Sequence, residues 1–463
     1  MLIFSGIYKN INDNKNKVCM ITEDEKITYQ DLINQINKKT LCLNSRFKQG
    51  EKVIIKNINP INTIINTLSC SKAGLISIPV DTKILSNSLE NIKEVTKPCS
   101  IIQDEFIYDY KKNQKIFFDG INLQGINYKN IHSEWVNDNT IFLGALSSGT
   151  TGKSKIIWRD HVSWSSAFKY QSQVFHISSK DILFLVGSLS YTANLNSAIH
   201  ILNEGGTIVF SKSIYPKTWI KEIEDNKVSS IFMVPAHYRL LLKELKKTML
   251  NINSLLSAGA KMDRKTVNSL KERFPSAYIC EYYGASELGH ISYINFRENF
   301  KENSVGRPFP GVNIWLEKIK NEHGVIWVKS DYIAPNFRPK ATVGDIGEID
   351  NEGNLYILGR NQEIINKGGV KILPHDVETV LNKHPKISES IVFPMKNYSK
   401  GEIVTAIIVA RDMSLTTKEV MSYCKKHLDI HKRPQKIRIV SDIKLNLNGK
   451  INKKELLKFF NKY

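Results

Sequence analysis

The sequence has no pair of cysteines spaced to clip a metal. Cys19, Cys42, Cys70, Cys99, Cys280 and Cys424 are scattered, with no C-x-x-C spacing. That argues against a metal knuckle or a disulfide framework and fits a reducing compartment. Long apolar runs are missing as well. Stretches such as Gly74–Val80 are strand-sized, far short of the roughly 20 residues that a membrane helix needs. Met1–Gly6 is too short for a signal-peptide core, and the chain then turns polar from Lys9 to Lys17. The expectation is a cytoplasmic protein with no transmembrane segment. Acidic residues are under-supplied, 45 against 65 Lys and Arg, for a net charge of +20. The lysines are dispersed among asparagines and form no basic stripe interleaved with aromatics, so no nucleic-acid partner is expected. A generally basic surface would still attract a polyanionic substrate or an acidic protein. There is no internal repeat and no low-complexity linker.

What is present is α/β alternation. At 463 residues the chain should form two or three domains. Thr28 reads as the N-cap of a helix, with Asp31 three residues on as its capping-box partner. Lys52–Ile55 and Leu75–Val80 read as strands around a helix at Pro60–Lys72. The same pattern returns with strands at Asp181–Val186, Gly206–Phe210 and Ser229–Pro235 and helices at Asn194–Asn203 and Trp219–Lys227. Strand–helix–strand repetition predicts parallel sheets, with ligands at the carboxyl ends of the strands. After Val305–Pro308 the texture changes to short alternating strands with Gly turns (Val312–Leu316, Gly324–Lys329, Gly347–Asp350, Leu355–Leu358), a small β module. Helices at Pro374–His384 and Thr417–Leu428 and strands at Glu389–Phe393 and Ile403–Ala410 then form a compact end-domain. The boundary falls at Arg360–Glu363. The division is 1–360 and 361–463.

Five motifs carry chemistry. Leu146–Lys155 packs small hydroxyl residues, two glycines and two lysines directly after the strand-like Thr140–Ala145. Such a turn exposes backbone N–H groups in a nest that suits a polyphosphate, though a plain hairpin turn reads equally well from this stretch alone. It lacks the spacing of a Walker A loop. Glu281–Glu287 offers an aromatic face for a base, a glycine for close approach, a hydroxyl, and a hard oxygen ligand suited to Mg²⁺. Gly344–Glu348 holds an Asp in a tight turn that could accept two ribose hydroxyls. In Gly359–Pro374 an Arg at a domain boundary precedes a glycine pair. Asn446–Ile451 presents Lys450 from a Gly turn. Taken singly, Glu281–Glu287 reads better as an ordinary strand end, Gly344–Glu348 is weak because Gly-Asp is a common turn pair, and Lys450 reads better as a solvated tail lysine.

Together and in this order, the motifs resemble those of the adenylate-forming superfamily: acyl- and aryl-CoA synthetases, adenylation domains of peptide synthetases, and luciferases. The resemblance runs from Thr28–Tyr29 to Lys450. Trp158–Asp160 and Gly187–Ser190 look most like small stand-alone fatty-acyl-CoA-ligase-like proteins. It implies an α/β fold with a large N-terminal domain of parallel-sheet subdomains plus a small β module, and a small mobile α+β C-terminal domain. It also implies that ATP and Mg²⁺ activate a small carboxylic acid as an acyl-adenylate. The thiol of CoA, or of a carrier protein's phosphopantetheine, then displaces AMP. By motif position Ser148, Gly149, Thr150, Thr151, Gly152 and Lys155 would cradle the β- and γ-phosphates, and Thr151 would also act in catalysis. Tyr283 and Gly284 would receive adenine, Ser286 the α-phosphate, Glu287 the Mg²⁺, Asp345 the ribose hydroxyls, and Arg360 the ribose and phosphate. Lys450 would bridge carboxylate and α-phosphate. Gln362 stands at the hinge, and Gly368–Gly369 would face the thiol channel. Three departures stand out: Ser154 replaces a usual proline, Ser286 replaces a usual threonine, and no proline precedes Lys450, with Lys444 near that position.

The acid pocket would be lined by Tyr191, Thr192, Pro235, Ser257, Ala258, Gly259 and Tyr282, which fit a fatty or an aryl acid. Ser188–Asn194 carries no carboxylate to pair with an ammonium, so α-amino acids are not expected. Two alternatives stay open: an adenylation enzyme that loads a free acyl or aryl carrier protein, and a non-catalytic nucleotide-binding protein. The second requires the Glu287 and Lys450 matches to be accidental.

Overall fold

The computed structural model describes residues 1–118, 136–147, 155–298, 300–320, 323–367, 370–397 and 401–442. Ser148, Gly149, Thr150, Thr151, Gly152, Gly368, Gly369 and Lys450 lie outside the described residues. The chain divides into two compact units. One is Met1–Phe300 with Pro308–Asn313 and Lys329–Ala341; the other is Lys301–Arg307 with Ile314–Val328 and Thr342–Tyr463.

The first unit contains two mixed sheets, each with a parallel centre. In the seven-stranded one, Lys52–Ile55 has parallel neighbours on both sides, Ile76–Pro79 and Ser100–Gln103. The helix Pro60–Lys72 between the first two begins with Pro at its first turn, capped by Asn59, whose side chain accepts the Ile61 N–H. Ile141–Ser147 adds parallel to Ile76–Pro79 and pairs antiparallel with Lys155–Asp160, from Ile141 opposite Asp160 to Ser147 opposite Lys155. The helix Tyr29–Asn44 starts from a full capping box of Thr28 and Asp31.

In the nine-stranded sheet the central run is Tyr278–Ala285, Ser254–Ala258, Ser230–Phe232, Ile182–Val186, Thr207–Ser211 and Val18–Ile21, all parallel. One face packs on helices Pro216–Asp225, Pro235–Glu244 and Arg264–Arg273 through Ile231, Leu255, Ile279, Trp219, Tyr238 and Leu270. The chain leaves Ile182–Val186, forms Thr207–Ser211 on one side, then crosses back to Ser230–Phe232 on the other. Loops at the carboxyl ends therefore diverge beside Ile182–Val186, the switch point at which open α/β sheets hold ligands. Helix starts shift from the sequence expectation for local reasons. The helix expected from Trp219 begins at Pro216, because proline's fixed φ suits the first helical position.

In the second unit, Asn313–Lys320, His323–Lys329, Asp345–Ile349 and Leu355–Arg360 form a four-stranded sheet in chain order. A five-stranded sheet follows, in which Gly401–Ala410 pairs antiparallel with Ile387–Asn397 and parallel with Lys436–Val440. Val404, Ala406 and Ile408 share a core with Val377, Leu381, Val420 and Cys424 of the helices Pro374–Leu381 and Thr417–His427. Ile407, offset by one, packs with Ile391 and Phe393 instead, as strand alternation requires. All six cysteines are buried free thiols. Among the described residues, no helix is long and apolar enough to cross a membrane.

Candidate active site

The strand Tyr278–Ala285 ends in a tight turn that returns as Gly289–Asn295, with Leu288 N–H donating to Ala285 O at 3.1 Å. Gly289 has φ of +72°, and a Cβ there would lie 2.8 Å from Cβ of Tyr332, so only glycine closes this turn. Arg159, 2% exposed, braces the turn from the neighbouring hairpin strand. Its guanidinium donates to Ser286 O at 3.1 Å, Ser163 O at 2.7 Å and Tyr332 O at 2.8 Å. Burial lowers its proton affinity, and the adjacent Asp160 acts against that shift. Asp160, 1% exposed, forms a two-point pair with Arg338, at 2.7 and 2.9 Å, and its Oδ1 accepts the Ser163 N–H. The fork geometry is the strong form of a charge-assisted bond. Ala334 N–H closes the frame on Glu287 O at 2.9 Å.

On this frame the turn holds Ser286 with its Oγ 3.3 Å from Thr192 Oγ1. Thr192 is the first residue of the helix Thr192–Glu204, which leaves the switch point. An N-terminal turn offers free N–H groups and a positive dipole end to an anion. The carboxylate of Glu287 has no hydrogen bond or ion pair among the described residues, so its oxygens remain available to a cation. Among those residues no three His, Cys, Asp or Glu gather to hold a metal. A single carboxylate fits Mg²⁺ that keeps its waters and takes its other ligands from substrate phosphates.

The residues expected to line a pocket sit at the carboxyl ends of adjacent strands. Tyr191 caps the helix Thr192–Glu204, Pro235 opens the helix Pro235–Glu244, and Gly259 follows Ser254–Ala258 with φ of +86°. Ala258 and Tyr282 are register partners on one face. Ser257 lies on the opposite face, beside the buried Glu281. Glu281 Oε2 accepts Met262 N–H at 2.6 Å, and burial pushes its carboxyl up to about 8. Tyr283 and Gly284 lie near the carboxyl end of the strand Tyr278–Ala285, and Lys155 is exposed at the hairpin's end.

Within the second unit, Asp345 and Arg360 are direct register partners, and Arg360 Nε bonds Asp345 Oδ1 at 3.0 Å. Gln362 lies in the 3₁₀ turn Asn361–Glu363. The structure thus brings together Thr192 with Ser286, Ala258 with Tyr282, and Asp345 with Arg360. Sequence reading gave no role to Arg159, Asp160 or Arg338. The available signal was an Arg–Asp pair closing the otherwise apolar strand Lys155–Asp160.

A family model described as AMP-binding enzyme matches residues 7–337, and one described as AMP-binding enzyme C-terminal domain matches 376–450. The chain is 26% identical to the putative long chain fatty acid-CoA ligase VraA of Staphylococcus epidermidis, over 97% of each chain. It is also 26% identical to the uncharacterized acyl-CoA ligase YhfT of Bacillus subtilis, over 96% of this chain and 95% of that protein. Among solved structures, ATP-bound MatB from Rhodopseudomonas palustris matches with a TM-score of 0.85 at 19% identity, over 100% of this chain and 99% of that one. The O-succinylbenzoate coenzyme A synthetase MenE of Bacillus subtilis, in complex with ATP and magnesium ion, matches at 0.79 with 21% identity, over 98% and 99%. The fold is the one these enzymes share.

Proposed function

Because the chain belongs to the AMP-binding enzyme family, we propose that it is an AMP-forming acid–thiol ligase. In the first step a carboxylate oxygen attacks the α-phosphorus of ATP. The bond to the bridging oxygen breaks, and pyrophosphate leaves with that electron pair. In the second a thiolate attacks the acyl carbonyl carbon and AMP departs, leaving a thioester. The observation that carries this reading is the Arg159-braced turn, which holds Ser286 against Thr192 at the switch point. A fixed hydroxyl pair at a helix N-terminus can hold a phosphate through an in-line displacement without reorganising, and most of the rate comes from such positioning.

In this proposal Ser148, Gly149, Thr150, Thr151, Gly152 and Lys155 hold the β- and γ-phosphates. Tyr283 and Gly284 receive adenine, and Ser286 contacts the α-phosphate. Asp345, oriented by Arg360, takes the ribose hydroxyls. Mg²⁺ arriving with ATP supplies charge neutralisation, and Glu287 is the residue that would hold it. Lys450 bridges carboxylate and phosphate in the first step only. The C-terminal segment 361–463 then turns about Gln362, and Gly368–Gly369 come to line the thiol path. The acceptor we propose is CoA; the net charge of +20 equally suits an acidic carrier protein bearing phosphopantetheine.

ATP–pyrophosphate exchange across fatty, aryl and amino acids, followed by addition of CoA, tests the reading. Exchange with one class of acid and thioester on adding CoA are expected. Exchange with none, in protein that binds ATP, overturns the assignment.

A further inference from the structure

Beneath the turn that carries Ser286 and Glu287 lies a cluster of buried charge that no step of the proposed reaction touches. Arg159 and Asp160 close the strand Lys155–Asp160, and Arg338 follows the 3₁₀ turn Pro335–Phe337. Arg338 holds both oxygens of Asp160 and donates from Nε to Ile333 O at 3.2 Å. Asp160 in turn accepts the Ser163 N–H. Arg159 bonds backbone instead: Nη1 donates to Ser286 O, and Nη2 donates to Ser163 O and Tyr332 O. One planar side chain thereby joins the start of helix Val162–Phe175, the Ser286 turn and the buried run Tyr332–Ala334. The two arginines meet at Ser163, whose N–H is held by Asp160 and whose carbonyl is held by Arg159.

A guanidinium is a costly brace. An apolar side chain of similar volume often stabilises a fold as well as a buried charge does, or better, and burial here lowers the proton affinity of Arg159. What an apolar side chain cannot do is fix the Ser286 carbonyl. That carbonyl and the Ser286 hydroxyl belong to one residue. The backbone that Arg159 clamps therefore also sets where the hydroxyl points, 3.3 Å from Thr192 Oγ1. The charge of Glu287 acts on Arg159 as well, so the cation is coupled to both functional residues of the turn.

We propose that Arg159 is a positioning residue for adenylate formation. Without touching substrate, it fixes the Ser286 hydroxyl where the α-phosphate must be met. Arg338 supports it at one remove, through Asp160 and the Ser163 corner. Adenine, ribose and the outer phosphates are held by other residues in the proposed reaction, so loosening this frame should slow the displacement far more than it weakens ATP binding. The inference rests on the ligase reading and on Ser286 contacting the α-phosphate.

The test is Arg159→Lys, which keeps the charge but puts one ammonium where a rigid fork filled two positions. Pyrophosphate exchange is followed with the fatty or aryl acid that the wild type uses best. Equilibrium dialysis with ATP gives both its Kd and the number of intact sites, so kcat is counted per site and partial loss of folded protein cancels. That kcat should fall about 10²-fold, the usual result of misplacing a reacting group by about 1 Å. Kd for ATP should move by about threefold or less, since the lost interaction matters in the transition state. Where Arg159→Lys does not fold, Arg338→Lys decides instead. It keeps a cation for Asp160 and should show the same split with a smaller, about tenfold, loss of kcat. A kcat per site within about threefold of wild type marks a merely structural brace, and an equal loss of kcat and ATP affinity marks a binding residue. Either result overturns the inference alone. Exchange by the wild type with no acid overturns the ligase reading and this inference with it.

Discussion

The turn at Ser286 and the segment at Arg360 both present side chains proposed to touch the nucleotide, but they are held by opposite means. Around Ser286, Arg159 and Asp160 are buried and held by three carbonyls and the Arg338 fork. Arg360 is 48% exposed and forms an ion pair with Asp345 at 3.0 Å. Buried charges are expensive to strand but hold a geometry; exposed pairs contribute little and yield easily. Rigid framing suits the residue that must meet a phosphorus atom. Compliance suits backbone proposed to absorb a rotation, since a hinge needs only to change φ and ψ.

Breaking the buried frame should have the largest effect. Arg338→Ala strands Asp160 and should cost about 3–5 kcal/mol in urea unfolding; a loss under about 1 kcal/mol would dissolve the contrast. Next comes Lys450→Ala. Pyrophosphate exchange should fall about 10²–10³-fold, roughly 3–4 kcal/mol of transition-state stabilisation, with thiolation of a supplied adenylate spared. Equal losses in both steps would remove Lys450 from its proposed role.

Acidity sharpens the contrast further. His161, His200 and His290 are pulled down by burial to about 4, 3 and 3, from an ordinary value of 6.5. Below 6.5 the unfolded chain takes up protons that the folded one refuses. Stability is therefore full above 6.5 and is lost as pH falls toward 4, by about 1 kcal/mol per histidine at pH 5.5. Glu281 works on the other limb. Its raised value means that stability declines as pH climbs from the ordinary carboxylate range through about 8, and Glu281→Gln should flatten that decline. Unfolding midpoints across pH read both limbs. The smallest effect belongs to the exposed pair. Arg360→Ala should move stability by under about 1 kcal/mol while raising KM for ATP.

Much of this was legible in the chain. The helix Pro60–Lys72 and the capping box at Thr28 follow from residues within one turn of each other, and the structure keeps both. The Glu281–Glu287 motif was legible as a short run because strand, glycine turn, hydroxyl and carboxylate are contiguous. Arg159 was not, because its three acceptors, Ser163, Ser286 and Tyr332, lie 4, 127 and 173 residues away. A charged residue at the end of an apolar strand looks like a solvated end until the turn that buries it is known. Gln171 was hidden for the same reason. On a helix it reads as a surface polar residue, and only Asn196 and His290 make it part of a network.

By itself, then, the sequence determined the elements, their α/β alternation and the family, because each rests on local spacing or contiguous motifs. Tertiary structure alone decided which charges are buried, what braces Ser286, and that Gln171 is buried against Asn196 and His290. These depend on water being excluded by segments far apart in the chain, and no local pattern records that exclusion.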